Sequence, residues 1–304
     1  MEVGFAGVGT MGSRMAAAVH AAGHGVHVYD LAPERANETV EATGAGLARS
    51  PRELGEQAEI VLMSLPAPTD VRSVVRGPNG LLEAGDLPAV IVDLSTVDPM
   101  STREHAAAAA ERGVGYIDAP VLGRPSRCGH WTLPVGGATA DLEAARAPLE
   151  CVAGRIVHVG DVGSGNVIKL LNNLMFGAIN AITVESMSIA RRLGVDMQVF
   201  FDTIAESNAA SVSNLFLEIG PKIVAGDTDP DFSLDLLQKD NLLALEMARE
   251  VRLSSVVGAA VTVLNGFGQD HGLGALDTSA LAKFYESITD PGISDRTSQP
   301  EASS

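Results

Sequence analysis

Short apolar, β-branched runs alternate with amphipathic stretches through the first half of the chain. The runs fall at Val3–Ala6, Val26–Tyr29, Ile60–Ser64, Ala89–Asp93, Tyr116–Ile117 and Ile156–Val159. Between them the apolar positions take helical spacing, as at Met11–Ala22, Pro33–Thr43 and Met100–Arg112. This alternation predicts an α/β unit with a mostly parallel sheet covered by helices on both faces. From about Gly165 the strand signals stop. Asn166–Leu193 is one helical pattern interrupted only by Gly177, long enough to span roughly 40 Å. It is apolar around most of its circumference, as expected of a helix buried between domains. Further helices are predicted over Val199–Ser207, Val212–Ala225, Leu234–Val251, Ser255–Asp270 and Thr278–Ile288, punctuated by Gly194, Gly220-Pro221 and Gly272–Gly274. The reading divides the chain into an α/β domain over 1–162, an all-α domain over 163–290, and a Pro/Ser/Asp-rich tail over 291–304 expected to be disordered.

Composition narrows the class of partner. The 304 residues are 46% hydrophobic, enough for a large core, and carry a formal net charge of −17. That field opposes nucleic acid and anionic membrane, so an anionic substrate needs a local cluster of cations. Cys128 and Cys151, the two cysteines, form neither a disulfide framework nor a metal-binding pair, which fits a reducing, cytoplasmic setting. The first apolar run lacks a preceding basic segment and reads as a strand, not a signal peptide. No stretch reads as apolar for long enough to cross a bilayer. His20, His24, His27, His105, His130, His158 and His271 show no metal-ligand spacing, and no metal is expected.

The first strand runs into Gly7-Val8-Gly9-Thr10-Met11-Gly12, and the second ends on Asp30. A strand, a Gly-x-Gly-x-x-Gly turn, a helix and a terminal acid together predict a Rossmann-type dinucleotide site. Gly7 makes the tight turn, Gly9 admits a pyrophosphate to the backbone, and Gly12 lets the helix pack closely on the strand. The diphosphate then sits at a helix N-terminus, where unpaired N–H groups favour negative charge. Asp30 accepts hydrogen bonds from ribose hydroxyls and repels a 2′-phosphate. Leu31 follows it, and Arg35 reads as a solvated helix charge. NAD is therefore expected in preference to NADP.

Within the long helix, Lys169 and Asn173 lie at i and i+4, on one face. An ammonium buried without a partner is costly, and burial lowers a lysine's pKa into the range of proton transfer. On spacing alone two readings stand: a general acid/base, or a lysine snorkelling to solvent from the helix edge.

Several motifs, in order over about residues 1–288, resemble the β-hydroxyacid dehydrogenase family of the 3-hydroxyisobutyrate dehydrogenase and 6-phosphogluconate dehydrogenase-like superfamily. They are Gly7–Gly12, Leu65-Pro66, Asp93-Leu94-Ser95-Thr96, Asp118-Ala119-Pro120-Val121, Gly163-x-Gly165-x-x-x-Lys169-x-x-x-Asn173 and Lys239-Asp240 with Leu243-Ala244-Leu245. The resemblance implies hydride transfer between NAD and the β-carbon of a small anionic hydroxy acid, or reduction of its semialdehyde. It assigns proton transfer to Lys169 and orientation of the reacting oxygen to Asn173. It places Leu65, Pro66, Thr96 and Lys239 at the cofactor. It places Ser95, Leu122, Gly123, Arg124 and Asp240 at the substrate, and makes the all-α domain the substrate and dimerisation domain. Read on its own, Lys239-Asp240 is a helix-terminal charge pair of little energetic weight.

The chain departs from the family in its substrate loop. Leu122 stands where the family has serine and Arg124 where it has a second glycine, and the loop to Val135-Gly136-Gly137 is shorter. Arg124 either grips an anionic group, as in members that take a sulfonate, or points to solvent. His130 and Trp131 read as loop packing, with an apolar wall for the substrate as the alternative for Trp131. Three further readings remain at this point: a reductase of a sulfonate or other anionic aldehyde using Arg124, an imine reductase, and a catalytically silent nucleotide-binding relative. Imine reductases generally lack the lysine, so Lys169 speaks against that one. A long apolar helix that can bury one face against a second copy predicts a homodimer or homotetramer.

Overall fold

Every apolar run predicted as a strand lies in one sheet. The computed structural model describes residues 1–207, 209 and 211–287, and the predicted tail over 291–304 lies outside them. The chain divides into two compact units, Met1–Asn172 and Asn173–Ser304.

The first unit runs β1 (Glu2–Ala6), α1 (Gly12–Ala21), β2 (Gly25–Tyr29), α2 (Pro33–Thr43), β3 (Gly46–Leu47), α3 (Pro51–Gln57) and β4 (Ile60–Met63). It continues through α4 (Pro68–Arg76), β5 (Val90–Asp93), α5 (Pro99–Glu111), β6 (Gly115–Asp118), β7 (Trp131–Gly136), α6 (Thr139–Val152) and β8 (Ala153–Gly160). The sheet order is β3-β2-β1-β4-β5-β6-β7-β8. Neighbours are parallel except β6 and β7. The order reverses between β1 and β4, the point at which such sheets open a crevice for a ligand. Val3, Phe5, Leu62, Val92 and Ile117 fill one face of the sheet, and Val61, Met63, Ile91 and Tyr116 the other.

Two strands of the sheet carry no strand signal in the sequence: β3, which is very short, and β7, which falls where a loop is expected. Pro134 masked β7, since proline cannot donate to a ladder. Its place explains the tolerance. The N–H of Thr132 donates to the Leu122 carbonyl, so a donor at 134 would point the same way along the pleat. On that side β7 meets β6 only at Asp118 and Gly136, and nothing there needs the donor.

Helix α7 (Ser164–Arg192) begins in the first unit and carries the division between Asn172 and Asn173. The division thus falls inside this helix, later than the expected boundary at its start. The first turns are tied to the sheet unit: Asp118 accepts the N–H groups of Gly163 at 2.7 Å and Asn166 at 2.8 Å. Asn166 Nδ2 donates to Thr102 Oγ1 at 3.2 Å.

In the second unit, α8 (Met197–Glu206), α9 (Asn214–Ala225), α10 (Leu234–Glu250), α11 (Val256–Asp270) and α12 (Leu281–Ser287) follow. The predicted last helix is a short 3-10 turn at Thr278–Ala280 leading into α12, and Ile288 lies outside the described residues. Asp196, Ser213 and Ser233 cap α8, α9 and α10 by accepting the N–H three residues on, satisfying donors that a helix start leaves open. Val184, Met187, Ile219, Leu234 and Leu281 form the core of this unit.

The expectation that no stretch is apolar for long enough to cross a bilayer fails at α7. By length and composition α7 is apolar enough to cross a membrane; Lys169 and Glu185 do not interrupt the run, which ends on Arg191 and Arg192. Asn180 Nδ2 donates to the Thr278 carbonyl at 3.1 Å, a contact made inside a protein core.

Candidate active site

The loop after β1 is built by its glycines. Gly7 takes φ +88°, and a Cβ there would lie 2.4 Å from the Ser64 carbonyl oxygen. A Cβ on Gly12 would lie 1.9 Å from the Gly7 carbonyl oxygen, so only glycine permits α1 to start against the turn. A Cβ on Gly9 would meet nothing nearer than Arg35 Nη1 at 3.7 Å. That open approach is what a diphosphate needs. No side chain among the described residues caps the first turn of α1; the Ser13 N–H donates to the Gly9 carbonyl at 3.0 Å, and the helix N-terminus favours an anion. Thr10 is exposed and Met11 packs partly on the core beneath.

Asp30 locks the loop to the end of β2. Its Oδ2 accepts the Val8 N–H at 2.8 Å and its Oδ1 the Ala32 N–H at 2.9 Å. Each oxygen keeps a lone pair for a ribose hydroxyl. A cleft of about 380 Å³ opens beside them, lined by Gly9, Thr10, Ser13, Arg35, Thr39 and Thr43. Arg35 is exposed, as expected of a solvated charge, but it lines this cleft.

The next turns are coupled. Ser95 Oγ accepts the Leu65 N–H at 3.0 Å, joining the turn after β4 to the turn after β5. Pro66 and Thr96 follow on the two turns, Pro66 exposed and Thr96 half-buried. Asp93 is wholly shielded from solvent and holds Ser95 through its backbone N–H at 2.9 Å. Burial pushes the Asp93 carboxyl up to about 6. Burial also raises Asp118, against the lowering effect of the amides it accepts.

Leu122 pairs with Thr132 through two backbone hydrogen bonds, closing the base of the expected substrate loop. Trp131 is fully buried in the sheet core, and its Nε1–H donates to the Arg124 carbonyl at 2.8 Å. A Cβ on Gly123 would fall 2.3 Å from Trp131 Cδ1. Trp131 therefore pins the backbone of Gly123 and Arg124 from below, and the alternative of a wall facing substrate is overturned. Arg124 and Leu122 are half-buried and Gly123 is exposed. Lys169 is half-buried on α7, one turn before Asn173.

In the second unit, Asn173 Nδ2 donates to Asp240 Oδ2 at 2.5 Å, and Lys239 Nζ lies 3.0 Å from Asp240 Oδ1. Asn173 and Asp240 are buried and Lys239 half-buried. The pair sits inside α10, so the reading of a helix-terminal surface pair fails. The next residue, Asn241, went unnoticed in the sequence. Its side chain is buried with no hydrogen-bond partner among the described residues, and a Cβ on Gly177 would come 2.5 Å from its Nδ2. Its signal was an amide beside the Lys-Asp pair, between Leu237 and Ala244 on the buried side of α10.

Comparison with known proteins covers both units. The family model for the NAD-binding domain of 6-phosphogluconate dehydrogenase matches residues 2–160. The model for the NAD-binding region of NADP-dependent 3-hydroxyisobutyrate dehydrogenase matches residues 163–285. A 2-(hydroxymethyl)glutarate dehydrogenase of Eubacterium barkeri is 33% identical over 97% of this chain and 98% of its own. A 3-hydroxyisobutyrate dehydrogenase of Pseudomonas aeruginosa is 34% identical over 93% of this chain and 98% of its own. Among solved structures, that of Mycobacterium tuberculosis 3-hydroxyisobutyrate dehydrogenase with L-serine is similar at a TM-score of 0.84. It is 29% identical and covers 95% of this chain and 99% of the other.

Proposed function

The chain belongs to the 3-hydroxyisobutyrate dehydrogenase-like family of oxidoreductases, within the 6-phosphogluconate dehydrogenase superfamily, and from that premise we propose its reaction: the NAD-dependent oxidation of a small β-hydroxy acid, or reduction of the corresponding semialdehyde. The observation that carries this reading is α7, which bears Lys169 and Asn173 one turn apart, with Asn173 held by a buried carboxylate.

When bound, the nicotinamide supplies the hydride chemistry. The protein supplies the proton and the geometry. Lys169 Nζ takes the hydroxyl proton as the alcohol becomes a carbonyl, and returns it in the reverse direction. Asn173, whose amide N–H donates to Asp240, orients the reacting oxygen. Asp240 holds that amide in one rotamer while pairing with Lys239. The Gly123 and Arg124 backbone, with the Arg124 guanidinium, grips the substrate's anionic group. The N-terminus of α1 would hold the diphosphate, and Asp30 would take the ribose.

Preference for NAD rests on Asp30 with exposed Leu31 after it. NADP stands as a second reading because Arg35 lines the cleft beside Gly9. Comparing kcat/KM for the two cofactors in wild type and Asp30→Ala tests this: NAD preference should narrow in the variant, and an NADP preference in wild type contradicts it. The substrate is found by following nicotinamide reduction over a panel of 3-hydroxyisobutyrate, D-glycerate, 3-hydroxypropionate, threonate and short sulfonates. A sulfonate as best substrate makes Arg124 the specificity residue, and turnover of none of these hydroxy acids contradicts the proposal. The stripe of exposed Ile168, Leu171, Met175, Ile182 and Ile189 on α7 supports a homodimer or homotetramer. Free thiols at Cys128 and Cys151 support a cytoplasmic location.

A further inference from the structure

The ends of β4, β5 and β6 share a buried hydrogen-bonded chain that none of the roles above uses. Asp93 closes β5 with no exposed surface. Its Oδ1 accepts the Ser95 N–H and its Oδ2 the Tyr116 hydroxyl, each at 2.9 Å. Ser95 Oγ in turn accepts the Leu65 N–H at 3.0 Å. One carboxylate thus fixes the turn after β5 and, through Ser95, the turn after β4. Backbone bonds close the frame around it, Leu94 N–H to the Met63 carbonyl and Ala119 N–H to the Asp93 carbonyl.

We propose that Asp93 is a positioning residue for the dinucleotide: its charged form holds Ser95 and Leu65 in the arrangement that binds cofactor, and its neutral form releases them. The proposal rests on the reading of these turns as the cofactor's.

The surroundings make the charge easy to lose. In register beside Asp93 stand Met63 on β4, which is apolar, and Asp118 on β6, which is of like charge. Tyr116 is neutral and its hydroxyl is pushed well above its ordinary range, first by burial and then by Asp93. From α5, His105 packs on Tyr116 with ring centroids 6.5 Å apart. Burial pushes His105 down to about 4, so it stays neutral and lends Asp93 no positive charge near neutral pH. Burial raises Asp93 to about 6, while the bonds from Ser95 and Tyr116 oppose that rise. Each of these bonds favours the carboxylate, so removing one raises its pKa further. A neutral carboxyl has one oxygen carrying a proton and loses the charge-assisted part of both bonds.

The test reads binding, not turnover. The Kd for NADH is measured by nicotinamide fluorescence from about pH 5 to about pH 8 in wild type, Asp93→Asn and Tyr116→Phe. In wild type, affinity should weaken about tenfold as pH falls through about 6, the worth of one charge-assisted hydrogen bond. Tyr116→Phe should move that midpoint upward, and Asp93→Asn should remove the step. A role limited to packing moves no midpoint. A flat wild-type profile, a midpoint unmoved in Tyr116→Phe, or a step that persists in Asp93→Asn overturns the proposal alone. Wild type that binds neither NADH nor NADPH at any pH overturns the cofactor-site reading, and the proposal with it.

Discussion

Two buried titratable groups in the first unit make opposite predictions for stability against pH. Asp93 has a folded pKa of about 6 against an ordinary 3.8. The folded state therefore holds this proton more tightly than the unfolded chain, and the stability linked to it is lost as pH rises from about 4 through about 6. His105 is the reverse, at about 4 against 6.5, with burial the chief cause. Its stability is present above about pH 6.5 and lost as pH falls through about 4. At 1.36 kcal/mol per unit, each contributes on the order of 3 kcal/mol, so in wild type the two largely cancel. Asp93→Asn exposes the histidine: its unfolding free energy should fall by about 3 kcal/mol relative to wild type on going from about pH 6.5 to about pH 4. His105→Leu exposes the aspartate and should gain a similar amount over the same range. Urea melts with a constant m-value at several pH values measure both differences. Variants that track the wild-type profile would refute the assignment of these groups as buried and unpaired by a counter-charge.

Other residues give sharper local tests. Gly12→Ala puts a methyl 1.9 Å from the Gly7 carbonyl oxygen, a clash with backbone that side-chain rotation cannot relieve. Isothermal titration should show NADH affinity reduced at least about a hundredfold, the worth of roughly 3 kcal/mol. An affinity near that of wild type would mean that the loop is not the dinucleotide site. Trp131→Phe keeps an aromatic ring and removes the hydrogen bond to the Arg124 carbonyl, worth about 1 kcal/mol. Its KM for substrate should rise several-fold with kcat little changed. A lowered kcat at constant KM would show that the loop serves another step.

The frame of the first unit was legible because its central strands β1, β4, β5 and β6 are buried on both faces and read as apolar runs. Gly7, Gly12 and Asp30 were legible because turn, close approach and acid each demand one residue type. Strand β7 was hidden by Pro134, whose missing donor is harmless only where β6 has already parted from it. Trp131 read as ambiguous because one indole can fill a core or face a ligand, and only its fully buried ring with an N–H on Arg124 decides between them. Asp118 read as the opening of a substrate loop, yet its carboxylate caps α7, a bond between residues far apart in sequence. Asp93 and Tyr116 are likewise separated along the chain and meet through strand register alone. Lys169 and Asn173 were legible as a spaced pair on α7, whereas the hold on Asn173 comes from Asp240, on a distant helix.

In the proposed reaction Lys169 moves the proton of a hydroxy acid. Single-turnover reduction of NAD by the best panel substrate, in wild type and Lys169→Ala with NADH affinity measured alongside, tests it most directly. Loss of the proton carrier should lower the rate by about a thousandfold or more while NADH affinity stays within about twofold of wild type, a difference of under about half a kcal/mol. A Lys169→Ala rate within a few-fold of wild type contradicts it.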